Sequence, residues 1–181
     1  MKVIALEESF WYEKLATEGS TVAHVRVKSA VAADWQRKLV DFTEYRLPDM
    51  DRNGVDMQVL SLTSPGIQVQ PDPDIAVADA RMANDFLADV IKEHPQRFAG
   101  LAAIPLQDPP EAAAELRRAI GLGLCGALVN DHTLGHYLDE LACDVRPGQV
   151  RRKGRDKFVG RIVASTRSIM GAASSAALAH R

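Results

Sequence analysis

Four short apolar runs, separated by longer amphipathic segments, form the basic pattern of this chain. The runs are Val3 to Leu6, Met57 to Leu62, Phe98 to Ile104 and Gly126 to Val129. None of them alternates cleanly between polar and apolar positions, which is typical of parallel strands buried on both faces. The pattern therefore predicts four buried strands in a sheet that helices cover.

Helical patterns fill most of the sequence between these runs. Asp74 to His94 repeats apolar residues every four positions, two prolines precede Glu111 to Leu122, and Leu47 to Asn53 is typical of a shorter helix. Strands that alternate with helices indicate an α/β layer fold. Residues 18–42 are polar, so we expect an excursion, part loop and part helix, of the kind that often covers an active site.

Composition is that of an ordinary soluble domain, with 46% hydrophobic and 25% charged residues. No run approaches the roughly 18 apolar residues that a membrane helix needs, and the N-terminus does not resemble an export signal. The two cysteines, Cys125 and Cys143, form neither a metal motif nor a disulfide framework, which favours a reducing compartment. We expect a cytoplasmic protein with no membrane partner.

Charge divides the chain near residue 140. Residues 1–141 hold 22 acidic and 13 basic residues, whereas residues 142–181 hold 2 acidic and 9 basic residues. The strand and helix pattern also fails after Glu140. We therefore predict a folded domain over 1–140 and an unrelated, basic, poorly ordered tail over 141–181. The tail has no aromatic interleaving and no nucleic-acid motif, so no nucleic-acid partner is predicted.

Candidate chemistry lies where the apolar runs end, because ligands of parallel α/β sheets bind at the carboxyl ends of the strands. Alternation along a strand predicts that Glu7 and Ser9 point one way and Glu8 the other. An inward carboxylate would need a cation such as a divalent metal, but the local pattern alone favours an exposed pair of glutamates. The polar residues after the other runs are Thr63, Ser64, Asn130, Asp131 and His132.

Local motifs disfavour several classes of enzyme and leave others open. The loop from Thr63 to Gly66 could hold a carboxylate or be an ordinary turn. His132 and His136 are four residues apart, but Gly135 argues against a helix that would pair them on a metal. Neither a glycine-rich phosphate loop nor a GxSxG nucleophile motif is present, which disfavours kinases, dehydrogenases and serine hydrolases based on them.

Several stretches in the same order resemble one known family. They are KVIALEESF at the N-terminus, RLPDMDRNGVDMQVLSLTSPGIQ at 46–68, the segment 83–120, and GLCGALVNDHTLGHYLDE at 123–140. These resemble the amidohydrolase-related family, and most closely its nonoxidative aromatic-acid decarboxylases. The resemblance covers residues 2–140 and implies the N-terminal half, about four βα units, of a TIM-type (β/α)₈ barrel.

The resemblance also implies a catalytic centre with one divalent metal, zinc or manganese. Glu7 matches the family's first metal ligand, and Ser9 stands where relatives have His or Ala. Ser9, Thr63, Ser64 and Asn130 fall where relatives line the substrate pocket. In the family the metal binds the carboxylate and ortho-hydroxyl of an aromatic acid, and protonation of the ring carbon precedes loss of CO₂.

This chain departs from the family after residue 140. Positions that would match the family's middle-strand histidine ligand and last-strand aspartate ligand do not occur. The sequence therefore predicts a truncated copy of a metal-dependent carboxy-lyase that acts on an ortho-hydroxy aromatic carboxylate. Three alternatives stay open: an inactive fragment, an interaction module of the same ancestry, and an amidohydrolase-type hydrolase. Two half-barrels could also pair as a homo-oligomer to cover their edges.

Overall fold

A curled parallel sheet of four strands forms the centre of the fold. The computed structural model describes residues 2–17, 30–130, 132–137 and 161–164, of which 30–33 and 161–164 are described by their backbone. The parallel strands are β1 (Ile4–Phe10), β2 (Met57–Leu62), β3 (Phe98–Ala102) and β4 (Gly126–Val129). They lie side by side in chain order, so each crossover returns to the neighbouring strand.

Four helices connect or precede these strands. They are α1 (Ala30–Val40), α2 (Arg46–Arg52), α3 (Pro73–Glu93) and α4 (Pro109–Gly121), with a 3₁₀ turn at Gly66–Val69. Asp72 and Asp108 begin the two long helices, because their carboxylates accept hydrogen bonds from backbone N–H groups of the first turn. None of the helices in the described residues is both long enough and apolar enough to cross a membrane.

The main core lies between the sheet and the helices. Phe10, Phe42 and Phe86 pack with their ring centroids 5.6 to 6.2 Å apart, in tilted or edge-on arrangements that aromatic rings favour. Leu60 and Leu87 belong to the same buried cluster. A smaller cluster on the opposite face of the sheet contains Met57, Val59, Ala99, Leu101 and Cys125. β2, β3 and β4 are therefore largely buried on both faces, as their continuous apolar runs predicted. β1 differs from that prediction, because it lies at the edge of the sheet and only its last residue, Phe10, is fully buried.

The predicted strand ends needed two corrections. The first strand was expected to stop at Leu6, but β1 continues through both glutamates to Phe10. Phe10 is only 1% exposed, and Ser9 and Phe10 pair with Ser61 and Leu62 of β2. Burial of the aromatic ring and pairing with β2 therefore carry the strand past two charged residues. The third strand ends at Ala102, two residues earlier than predicted.

Three short strands were not predicted. β5 (His132–Thr133) and β6 (His136–Tyr137) form a hairpin whose two turn residues, Leu134 and Gly135, have φ values of 52° and 84°. Positive φ at both positions matches the twist of a two-residue hairpin. The hairpin also confirms that His132 and His136 do not lie on a helix.

The third unpredicted strand, β7 (Arg161–Ala164), pairs antiparallel with β4. It is the only described part of the predicted tail, 141–181. The remainder of the tail lies outside the described residues, as do residues 18–29 of the predicted excursion. Within that excursion, α1 confirms the helical part. Because β7 occupies the outer edge of β4, a second copy would have to displace it to close a barrel through that edge. The boundary near residue 140 stays a prediction.

Close packing of α3 on β3 leads to a stability prediction. A Cβ atom added at Gly100 would lie 2.7 Å from Cδ2 of Leu87 and 2.8 Å from Cδ1 of Ile91. Because Leu87 is fully buried, we expect Gly100→Ala to lower the free energy of unfolding by about 1–3 kcal/mol. Urea denaturation measures this change.

The matched control is Gly121→Ala at the end of α4, where an added Cβ meets no atom within 4 Å. We expect that substitution to change the free energy of unfolding by less than about 1 kcal/mol. Equal losses in the two variants would contradict this account of the packing between α3 and β3.

Candidate active site at the carboxyl edge of the sheet

Glu7 lies in a bulge within β1 instead of after its end. Ala5 pairs with Gln58 and Glu8 pairs with Leu60, so Leu6 and Glu7 together stand opposite Val59. Glu7 has a φ of 60°, a left-handed conformation that non-glycine residues rarely adopt. Such outliers cost about 1–3 kcal/mol and concentrate at functional sites. Its side chain is exposed, and its carboxylate has no hydrogen-bond or ion-pair partner in the described part of the chain.

The residues after the bulge alternate as the sequence predicted. Glu8 pairs with Leu60 on the face that packs against the helices, and Ser9 pairs with Ser61 on the other face. The carboxylate of Glu8 lies 4.0 Å from Arg46, a cation of helix α2 whose side chain is 9% exposed. Glu8 thus interacts with the outer layer of the fold, whereas Ser9 lies on the face where the resemblance expects substrate.

Thr63 and Ser64 follow β2 and approach residues from two other strands. The N–H of Thr63 donates to the carbonyl oxygen of Phe10 over 2.9 Å, which extends the pairing of β1 with β2 beyond their ends. Asn130, which follows β4, donates from Nδ2 to the carbonyl oxygen of Pro65 over 3.3 Å. The structure therefore gathers Thr63, Ser64 and Asn130 at one edge of the sheet.

Glu7 and Ser9 lie on β1, next to β2, and Ser9 pairs with Ser61 two residues before Thr63. β1 is separated from β4 by two strands. No hydrogen bond within the described residues joins the side chain of Glu7 or Ser9 to Asn130. The structure thus forms two groups, one on β1 and one on the loops after β2 and β4, and their metal-binding and substrate-binding roles stay predictions.

Gln68 is a buried residue that holds the loop after β4 in place, and sequence reasoning did not identify it. Its side chain is in the 3₁₀ turn, and the residue is 5% exposed. Its Oε1 accepts from the N–H of Asn130 over 2.8 Å, and its Nε2 donates to the carbonyl oxygen of His132 and to Oγ1 of Thr133 over 3.0 and 2.8 Å. A glutamine in a polar turn carries no local signal of burial, so only the folded contacts identify it.

A small cavity lies between these loops. Its volume is about 20 Å³, and its walls include Pro65, Gly66, Gln68, Ile104 and Asn130. A cavity of this volume has room for about one water molecule, not for an aromatic ring. An aromatic acid would therefore have to bind beside this cavity, or the loops would have to move apart.

A complete metal centre is not formed by the described residues. No group of three or more His, Cys, Asp or Glu side chains that could hold a metal occurs among them. Tight zinc sites have at least three protein ligands, whereas Glu7 supplies one carboxylate. The residues in the described part therefore do not by themselves fit the predicted zinc or manganese ion. Cys125 is buried in the cluster on the opposite face of the sheet, and this burial raises the pKa of its thiol.

Comparison with known proteins identifies the family. The family model described as Amidohydrolase matches residues 9–161, so the chain belongs to the amidohydrolase family. This match begins at Ser9, includes only the last two residues of β1, and extends past the predicted boundary at residue 140. The parallel half-barrel with helices on its outer face is accordingly part of a TIM-type barrel.

Several relatives share a narrower chemistry. The chain is 41% identical to γ-resorcylate decarboxylase of Rhodococcus jostii (strain RHA1) over 137 residues, which cover 75% of this chain and 40% of that protein. Among solved structures, 2,6-dihydroxybenzoate decarboxylase in complex with 2,6-dihydroxybenzoate is 39% identical, with a TM-score of 0.64 over 72% of this chain and 39% of that one.

A second solved structure contains a metal. 5-Carboxyvanillate decarboxylase of Novosphingobium aromaticivorans, in complex with manganese and 4-hydroxy-3-methoxy-5-nitrobenzoic acid, is 36% identical with a TM-score of 0.70. The match covers 77% of this chain and 44% of that one. The chain thus spans about two fifths of the length of the relatives it matches.

The contacts of Gln68 lead to a prediction about the loop after β4. We expect Gln68→Leu to lower the free energy of unfolding by about 1–3 kcal/mol, because it removes the hydrogen bonds to the Asn130 N–H, the His132 carbonyl oxygen and the buried Thr133 hydroxyl. We also expect faster hydrogen exchange of the Asn130 amide, which donates to Gln68. Hydrogen-exchange mass spectrometry or NMR measures this rate.

Gln70→Leu is the matched control, because Gln70 bonds to Thr17 and Asp72 but not to residues 130–133. That variant should leave exchange of the Asn130 amide unchanged. Unaltered exchange of this amide in Gln68→Leu would show that Gln68 does not hold the loop.

Proposed function

We propose that this chain forms the β1–β4 part of a metal-dependent carboxy-lyase that releases CO₂ from an ortho-hydroxy aromatic carboxylic acid. The observation that carries the proposal is the 41% identity to γ-resorcylate decarboxylase over 137 residues, together with the solved decarboxylases that share the fold. These relatives bind aromatic acids of one type, which supports a small aromatic carboxylate as the substrate class.

Glu7 is the residue we assign to the metal. Three features support this assignment: its exposed carboxylate, its lack of a partner among described residues, and a left-handed backbone in a bulge. A structural glutamate at such a position would be expected to have a hydrogen bond or a cation that offsets the cost of the conformation. Manganese is the better-supported ion, because it is present in 5-carboxyvanillate decarboxylase, and zinc is the alternative.

Ser9, Thr63, Ser64 and Asn130 are the residues we assign to the substrate side. Ser9 lies on the face of β1 away from the helices, and the other three lie at the carboxyl edge of β2 and β4. Carboxyl edges of parallel strands are where barrel enzymes bind their ligands. Hydroxyl and amide groups in this position are suited to hydrogen bonding with the carboxylate and hydroxyl groups of an aromatic acid.

Catalysis would require metal ligands in addition to Glu7. Because the described residues provide no cluster of ligands, these would have to come from residues outside the described part or from another chain. Assembly with a second chain belongs to the proposal for this reason. It would also cover the free edge of β1, where Leu6 and the preceding residue Val3 are exposed apolar side chains.

The second candidate is a non-catalytic member of the same family. The absence of a three-ligand cluster within the described residues favours it over catalysis by this chain alone. A hydrolase is the less favoured enzymatic alternative, because the curated relatives given above are decarboxylases.

Substitution of Glu7 tests the proposal. We expect the full chain to bind Mn²⁺ and to release CO₂ from 2,6-dihydroxybenzoate in a Mn²⁺-dependent reaction. Glu7→Gln should lower both Mn²⁺ affinity and the rate of CO₂ release by more than about 100-fold, since loss of even an outer-shell partner costs about 10- to 100-fold. Isothermal titration calorimetry measures metal affinity, and a coupled CO₂ assay measures turnover.

Glu13→Gln is the control, because Glu13 is an exposed carboxylate six residues further along the chain with no assigned role. It should change neither quantity by more than about 2-fold. Wild-type chain that neither binds Mn²⁺ nor releases CO₂ would overturn the catalytic proposal and leave the non-catalytic candidate.

A further inference from the structure

Arg46 forms an unusually complete set of contacts beneath the first strand. Its Nη2 donates to the carbonyl oxygens of Ser9 and Lys38 over 2.7 and 3.0 Å, and its Nε donates to the carbonyl oxygen of Asp41 over 3.2 Å. Its Nη1 donates to Oε1 of Gln58 over 3.1 Å. The guanidinium therefore connects β1, the end of α1, the following loop and β2.

These contacts lie on both sides of the β1 bulge. Gln58 is the pairing partner of Ala5, the last residue before the bulge. Glu8 and Ser9 are the first residues after it, and Arg46 lies 4.0 Å from the Glu8 carboxylate and 2.7 Å from the Ser9 carbonyl oxygen. One side chain thus fixes the distance across the two residues, Leu6 and Glu7, that the bulge accommodates.

Because the Arg46 guanidinium is buried, its N–H donors need hydrogen-bond acceptors in fixed directions. Burial lowers the pKa of Arg46, and the nearby charges of Glu8 and Asp41 oppose that effect. A buried cation is costly unless its donors are satisfied, and the planar guanidinium satisfies several acceptors in fixed directions. Lysine has no such fork and could not make the same set of bonds.

The loop that carries Arg46 is itself held in place. Asp41 accepts hydrogen bonds from the backbone N–H groups of Glu44, Tyr45 and Arg46 over 3.1, 2.8 and 3.2 Å. The Arg46 guanidinium also lies 5.6 Å from the ring centroid of Phe42, within range of a cation–π interaction. The start of α2 is therefore a rigid support for the bulge.

We infer that Arg46 is a positioning residue that maintains the β1 bulge and thereby keeps Glu7 in its left-handed conformation with an exposed carboxylate. The importance of Arg46 for catalysis rests on the proposed function, in which Glu7 is a metal ligand. Arg46 lies on the helix-facing side of the sheet and acts on Glu7 only through the backbone of β1.

The test compares Arg46→Met and Arg46→Lys with Arg97→Met in the full chain. Arg97 is the matched control, because it pairs with Asp51 over 2.7 Å and bonds to the carbonyl oxygen of Asp56 near the beginning of β2, where it also joins a helix to the sheet. NMR provides a direct measure of φ, since a left-handed residue has a short intraresidue distance between its amide proton and Hα. In wild-type protein Glu7 should give a strong cross-peak between these protons.

We expect both Arg46 variants to weaken this cross-peak by more than about 2-fold, because the residue relaxes to an extended conformation. Exchange of the Thr63 amide, which bonds to β1 at Phe10, should rise by about 10-fold or more with loss of the charged hydrogen bonds. Arg97→Met should alter neither signal, even if it destabilises the fold. If Arg46→Met does not fold, Arg46→Lys gives the same comparison.

An unchanged Glu7 cross-peak in a folded Arg46 variant would overturn the inference. Glu7→Gln separates it from the proposed function, because that substitution retains the backbone conformation and should retain the cross-peak at residue 7. A retained cross-peak without any effect of Glu7→Gln on Mn²⁺ affinity or CO₂ release would refute the proposed function and leave the role of Arg46 in the bulge intact.

Discussion

Parallel pairing of the four strands is the constraint on which the rest of the structure depends. Because β1 to β4 run in the same direction, their carboxyl ends meet at one edge, and the loops that follow β2 and β4 come into contact there. Parallel pairing also requires helical crossovers, which bury the outer face of the sheet. The direction of the strands alone therefore places the candidate site at this edge of the sheet.

Buried polar side chains then determine the details of that edge. Arg46 and Gln68 are each at most 9% exposed. Each forms hydrogen bonds with backbone groups of residues that are distant from it in the sequence. Buried polar groups are costly unless they are hydrogen-bonded, so such residues favour one arrangement of the strands and loops over others. Arg46 supports the bulge of β1, and Gln68 supports the loop after β4.

Membership of the amidohydrolase family and the metal-binding capacity of this chain are separate matters. The family match rests on extended similarity over residues 9–161, whereas a metal centre depends on a few ligands that must converge. Within the described residues, no group of three or more His, Cys, Asp or Glu side chains could hold a metal. The family match therefore establishes the fold, whereas the metal-binding role of Glu7 is a proposal.

The four parallel strands, the long helices and the polar residues at the strand ends could be predicted from the sequence, because they follow from local periodicity and from turn and cap residues. The sequence by itself did not determine that β1 extends to Phe10, that Glu7 lies in a bulge, or that Arg46 and Gln68 are buried. Those features depend on contacts between residues about 10 to 65 positions apart. Only the tertiary structure decided them, since a local pattern contains no information about which distant groups supply the pairing, the burial and the hydrogen bonds.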